Sequence, residues 1–91
     1  MSVSWQAHTQ GGYNYIWDAP SGVLYELPDH DEWVESWSPV EFLTGFNPDT
    51  QEAYPLDGAV PAVGHSIRIG VGDIVIITDR IESAWVIGGV T

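Results

Sequence analysis

Ser66-Ile67-Arg68-Ile69-Gly70-Val71-Gly72-Asp73-Ile74-Val75-Ile76-Ile77-Thr78 is the stretch that decides the fold. Ile67, Ile69 and Val71 alternate with Ser66, Arg68 and Gly70, the period of two that sends successive side chains to opposite faces of a strand. Gly72-Asp73 makes a turn, and Ile74 to Thr78 forms the next strand. Its unbroken β-branched run predicts a strand apolar on both faces and central in its sheet. Ala84-Trp85-Val86-Ile87, after the polar stretch Asp79 to Ser83, supplies a third strand.

The same period recurs near the N-terminus. Val3, Trp5 and Ala7 alternate with Ser4, Gln6 and His8, and Gly11-Gly12 breaks the pattern. Tyr13, Tyr15 and Trp17 alternate with Asn14 and Ile16; after Ala19-Pro20-Ser21-Gly22, Val23, Tyr25 and Leu27 stand opposite Leu24 and Glu26. This is a hairpin closed by a four-residue turn of the Pro and Gly chemistry such turns use. Pro28 ends it. Asp29 followed three residues later by Glu32 has the form of a helix start, and Trp33 and Trp37 at a spacing of four would share one face of a short helix near residues 29–37. Ser38-Pro39 stops that helix, and Val40 to Phe46 reads as a further strand. Residues 45–64, with Pro48, Pro55, Pro61 and Gly58, show no sustained period and read as a long loop. The expected fold is a single mainly β domain over residues 1–91. It is a small barrel or strongly twisted antiparallel sheet of six or seven short strands with one short helix.

Composition limits the function classes. The 91 residues include 44% hydrophobic residues and five Trp, enough apolar surface for the chain to fold alone. No cysteine is present, so thiol catalysis, disulfides and cysteine zinc sites are excluded. Neither a secretory leader nor a run of about 20 apolar residues is evident, so a cytoplasmic location with no membrane association is expected. Thirteen acids against two arginines give a formal charge of −11, which disfavours direct contact with nucleic acid or anionic lipid. The charge is unevenly placed. Ten acids lie between Asp18 and Asp57 (Asp18, Glu26, Asp29, Asp31, Glu32, Glu35, Glu41, Asp49, Glu52, Asp57) with no Lys or Arg among them. From Gly58 onward, Asp73, Asp79 and Glu82 nearly balance Arg68 and Arg80, so residues 65–91 read as a nearly neutral scaffold beside an acidic segment, residues 18–57.

No motif compels a reaction. Gly70-x-Gly72 lacks the third glycine of a dinucleotide loop and precedes a strand rather than a helix, so a turn explains it better. Asp29-His30-Asp31-Glu32, with Glu35 one turn on, offers oxygen ligands for a hard cation but lacks the alternating positions and central glycine of a calcium loop; a solvated acidic helix start is preferred. His30 with Asp29 or Asp31 could serve as a base, and Ser36, Ser38 or Ser66 as nucleophile, yet no spacing singles out any of them. Trp5, Trp17 and Trp85 fall in strand patterns and read as packing residues. Trp33 and Trp37 read as core first and as stacking platforms for Arg or Lys second.

The run Gly64-His65-Ser66-Ile67-Arg68-Ile69-Gly70-Val71-Gly72-Asp73-Ile74-Val75-Ile76-Ile77, followed by Ala84-Trp85-Val86-Ile87-Gly88-Gly89, resembles the C-terminal region of YodL-like domains, small modules carried by plasmids and phages. The closing aromatic of that pattern is replaced here by Gly89-Val90. The resemblance covers residues 64–89 and implies a mobile-element setting, with no catalytic residues to carry over.

The expected function is therefore non-catalytic and needs no cofactor. An acidic protein binds and regulates a host protein with a basic, nucleic-acid-binding surface, as a DNA mimic does, through Asp29, Asp31, Glu32, Trp33, Glu35, Trp37 and Glu41. The rivals are a structural or virion-associated barrel acting as a homo-oligomer, an aromatic-cage reader of cationic peptides, and a halophilic housekeeping domain.

Overall fold

Two antiparallel sheets hold all the strands of a computed structural model that describes residues 3–28, 35–37, 40–56 and 60–88. Nine strands lie in these residues: β1 (Ser4–Thr9), β2 (Tyr13–Asp18), β3 (Val23–Pro28), β4 (Glu35–Trp37), β5 (Phe42–Asn47), β6 (Glu52–Pro55), β7 (Ser66–Val71), β8 (Ile74–Ile77) and β9 (Ile81–Gly88). The first sheet has the order β4-β3-β2-β1-β9 and the second β6-β5-β7-β8.

The hairpin of β2 and β3 is paired from Tyr13 opposite Pro28 to Asp18 opposite Val23, with Ala19 to Gly22 as its turn. That turn is fastened by the Gly22 N–H donating to the Asp18 carbonyl at 2.9 Å and by the Ser21 hydroxyl donating to the Asp18 carboxylate at 2.5 Å. At the β7–β8 turn the backbone at Gly72 takes φ +58°, a left-handed conformation that costs a side-chain-bearing residue energy and glycine almost none.

The sheets meet at a corner between β8 and β9. Up to Thr78 the chain pairs with β7: the Thr78 N–H donates to the Ile67 carbonyl at 3.0 Å. The return bond does not reach a carbonyl. The Ile67 N–H donates instead to the Thr78 hydroxyl at 3.0 Å, and that hydroxyl donates to the Asp79 carbonyl at 2.9 Å. At Ile81 the chain touches both sheets, its N–H donating to His65 and its carbonyl accepting from Gly64, before β9 runs on along β1. A strand that changes partner mid-course in this way turns the corner between two packed sheets.

Alternation in the strands delivers the core. Trp5, Trp17 and Leu24 stand opposite one another across β1, β2 and β3, and Leu43, Ile69 and Ile76 do so across β5, β7 and β8. These two rows, with Ala7, Tyr15, Ile67 and Ile81, fill the space between the sheets. Full burial of Ile67, Ile69 and Ile81 stabilises the fold by roughly 1.5–3 kcal/mol each. The radius of gyration, 12.2 Å, equals the roughly 12 Å expected of a folded chain this long, so the sheets share one core.

Several expectations are corrected. The sheets do not close into a barrel, and the described strands number nine rather than six or seven. Of the helix expected near residues 29–37, residues 35–37 form β4, pairing with β3 from Leu24 opposite Trp37 to Glu26 opposite Glu35; residues 29–34 lie outside the described residues. Satisfying backbone groups along an open sheet edge outweighs the fourfold Trp spacing. The loop expected over 45–64 contains the end of β5, a turn and β6. Asn47 makes that turn, its carbonyl accepting from the Gln51 N–H at 2.7 Å and its side-chain oxygen from the Asp49 N–H at 3.0 Å. The prolines that suggested a loop sit in the turn (Pro48) and at the end of an edge strand (Pro55), where a missing N–H costs little. Finally, β8 is not central. It ends its sheet, with Ile74, Val75 and Ile77 exposed at 62%, 52% and 49%.

Candidate partner-binding surface

Both arginines are engaged within the fold. Arg80 forms a two-pronged pair with Asp49, Nη2 to Oδ1 at 2.8 Å and Nη1 to Oδ2 at 3.4 Å, while Nη1 also donates to the Gly64 carbonyl at 2.9 Å. This clamp ties the β5–β6 turn to the corner. The Asp49 carboxyl is held below the ordinary carboxylate range by its hydrogen bond and charge attraction to Arg80, and the Arg80 guanidinium is raised in return. Beside the clamp, the Tyr54 hydroxyl and the Nδ1 of His65 share a hydrogen bond at 2.7 Å with their rings edge to face. Tyr54 lies across Gly45, in the space a side chain there would occupy, and partial burial pushes its phenol up.

Arg68 lies on the outer face of the second sheet, its guanidinium 4.6 Å from the centre of the Phe42 ring. A cation over a ring face is attracted by the ring quadrupole. Phe42 covers Gly70, directly opposite it in register, and Arg68 is flanked by Thr44 and Ile77. The outer face thus sets one cation between the Phe42 ring, Thr44 and Ile77.

In the first sheet one acid is drawn inward. Glu26 stands opposite Tyr15, whose buried phenol is pushed well above its usual range, first by burial, then by its hydrogen bond with Glu26 and by the charges of Glu26 and Asp79. Glu41 and Glu52 are exposed; the Glu41 N–H extends the β5–β7 ladder by donating to the Gly70 carbonyl at 2.7 Å. Of the seven residues the sequence singled out, Glu35 and Trp37 belong to β4 and Glu41 precedes β5. Asp29, Asp31, Glu32 and Trp33 lie outside the described residues, as does His30. Of the suggested nucleophiles, Ser66 is buried and Ser36 exposed on β4; Ser38 is not described. Among the described residues no three His, Asp or Glu side chains gather as metal ligands, and no helix is long and apolar enough to cross a membrane.

Sequence reasoning missed the apolar edges. Trp85 was expected in the core and is instead 43% exposed, because its register sets it opposite Gln6, on the face of β1 away from Trp5 and Ala7; Val86 and Ile87 beside it on this end strand are exposed too. The signal that could have found them is the lack of any further strand to pair with once β1 and β7 are assigned. Matched against models of protein families, curated proteins and solved structures, the chain resembles none of them closely enough to count as a match.

Proposed function

We propose that this protein is a non-catalytic binding domain that takes a basic partner against its acidic segment, residues 18–57. The observation that carries this reading is the disposition of the two arginines. Arg80 reaches one of the ten acids in that segment, Asp49, and Arg68 lies over Phe42; with no lysine in the chain, the other carboxylates have almost nothing to neutralise them. Like charges held together repel and destabilise the compact state, a cost relieved when a cationic surface approaches. The matching surface on a host protein is one that otherwise binds nucleic acid phosphates, so the protein acts as a DNA mimic that inhibits or regulates its target. The resemblance of residues 64–89 to YodL-like domains supports a phage or other mobile-element setting for such an inhibitor.

The test is capture of partners from a bacterial lysate at about 50 mM and about 500 mM salt, across which the screening length falls severalfold. Binding should weaken steeply with salt, be competed by duplex DNA, and be reduced by Glu41→Lys with Glu52→Lys, two exposed substitutions. Partners held equally well at both salt concentrations, or unaffected by DNA, would refute the reading.

A further inference from the structure

Among the described residues, no strand pairs with the outer edge of β8. Pairs in an antiparallel ladder alternate between those that exchange hydrogen bonds and those that do not. Thr78 bonds Ile67, so Ile76 bonds Ile69 and Ile74 bonds Val71; Val75 and Ile77 are the non-bonded positions opposite Gly70 and Arg68. Gly70 agrees, since its carbonyl turns the other way, to the Glu41 N–H. The N–H and C=O groups of Val75 and Ile77 therefore point outward along an edge that no described strand covers. Native edges are normally blunted by Lys, Pro, a bulge or a cover. Ile74, Val75, Ile76 and Ile77 carry none of these residues, and three of the four are exposed.

This edge has defined ends. On this same side of the bent strand β1 runs along β9 and stops where the Gln10 N–H bonds the Arg80 carbonyl at 2.9 Å. The Asp79 carboxylate lies there, against Gly11 in the β1–β2 turn. Asp73, exposed in the β7–β8 turn, stands at the other end. An apolar strip is thus bracketed by two carboxylates six residues apart.

The bracketing selects the occupant. A second copy pairing antiparallel in the register centred on Ile76, which uses the outward groups of both Val75 and Ile77, would set Val75 opposite Ile77 of the copy and bring Asp73 of each chain against Asp79 of the other. Like charges directly opposed in a ladder are destabilising, and each chain already carries −11. A foreign strand that ends at Gly11, with one basic residue opposite Asp73 and another whose side chain reaches Asp79, turns both contacts attractive. We infer that the β8 edge binds an extended segment of the partner by strand addition, two Lys or Arg residues six apart flanking an uncharged, alternating stretch that packs beside Val75 and Ile77. This rests on the basic-partner reading above and assigns the partner a recognition segment distinct from its contact with residues 18–57.

The probe is the blocked peptide Lys-Thr-Val-Thr-Val-Thr-Lys, titrated into the whole protein by NMR, with a Glu-ended peptide as control. Amide shifts should concentrate in residues 73–79, and the Glu-ended peptide should bind about tenfold more weakly. Val75→Pro, which removes an outward N–H without touching the β7 ladder, should abolish binding. Should that variant misfold, Asp73→Lys, at an exposed turn, should weaken the Lys-ended peptide about tenfold. The inference is overturned if the two peptides bind alike, if shifts fall on residues 18–57 instead, or if the free protein is a dimer with β8 amides protected. Salt-sensitive capture that survives such a result leaves the basic-partner reading intact; capture indifferent to salt, with the peptide still seated on β8, removes that reading alone.

Discussion

Replacing Thr78 by Val tests whether one hydroxyl holds the corner between the sheets. The substitution keeps side-chain volume and removes the acceptor of the buried Ile67 N–H, the Thr78 hydroxyl at 3.0 Å. The Asp79 carbonyl that loses the same hydroxyl belongs to an exposed residue, so water can replace that bond. Leaving a buried amide unpaired costs about 1–3 kcal/mol, and the added methyl recovers under about 1 kcal/mol, for a net loss of about 1–2 kcal/mol. In a domain of this size that lowers Tm by about 4–16 °C. Thr78→Ser keeps the hydroxyl and loses a methyl, costing about 0.8 kcal/mol. Urea unfolding followed by Trp fluorescence should rank wild type above Ser above Val, and hydrogen exchange of the Ile67 amide should accelerate in the Val variant alone. A Val variant as stable as the Ser variant, with Ile67 exchange unchanged, would show that the hydroxyl does not carry the corner.

Two further outcomes follow from buried contacts. Tyr15 has its folded-state pKa raised above its unfolded value, so its contribution is complete below about pH 10 and is lost as pH rises beyond that. The urea midpoint should hold up to about pH 10 and fall as pH rises beyond it, and Tyr15→Phe should flatten that fall while lowering stability at neutral pH by about 1 kcal/mol through the lost bond to Glu26. At Gly70 an added methyl would overlap the Phe42 ring, so Gly70→Ala should cost about 1–3 kcal/mol despite the 0.5–1 kcal/mol or so that replacing a strand glycine returns. Combining it with Phe42→Leu should recover most of the loss in a double-mutant cycle, since the overlap is with that ring.

Where side chains alternate and one face must be buried, the sequence is a sufficient guide. Ile67 and Ile69, Trp5 and Ala7, and the Asp18 to Val23 turn all lie where the period of two and the Pro/Gly chemistry put them. Where a segment is short, as at Glu35 to Trp37, the spacing of two tryptophans favoured a helix and pairing with the edge of β3 decided for a strand. β6 escaped notice because its end proline is a strand breaker in the interior and harmless at an edge.

The acid excess between Asp18 and Asp57 and the scarcity of cations are properties of the sequence alone, because counting charges needs no coordinates. Only the tertiary structure decided that the most apolar strand, Ile74 to Ile77, ends its sheet instead of filling the centre. Local pattern records how apolar a strand is. Which of its edges is paired depends on where distant segments come to lie, here on β1 meeting β9 beyond the corner at Thr78, so that no described strand pairs with the outer edge of β8.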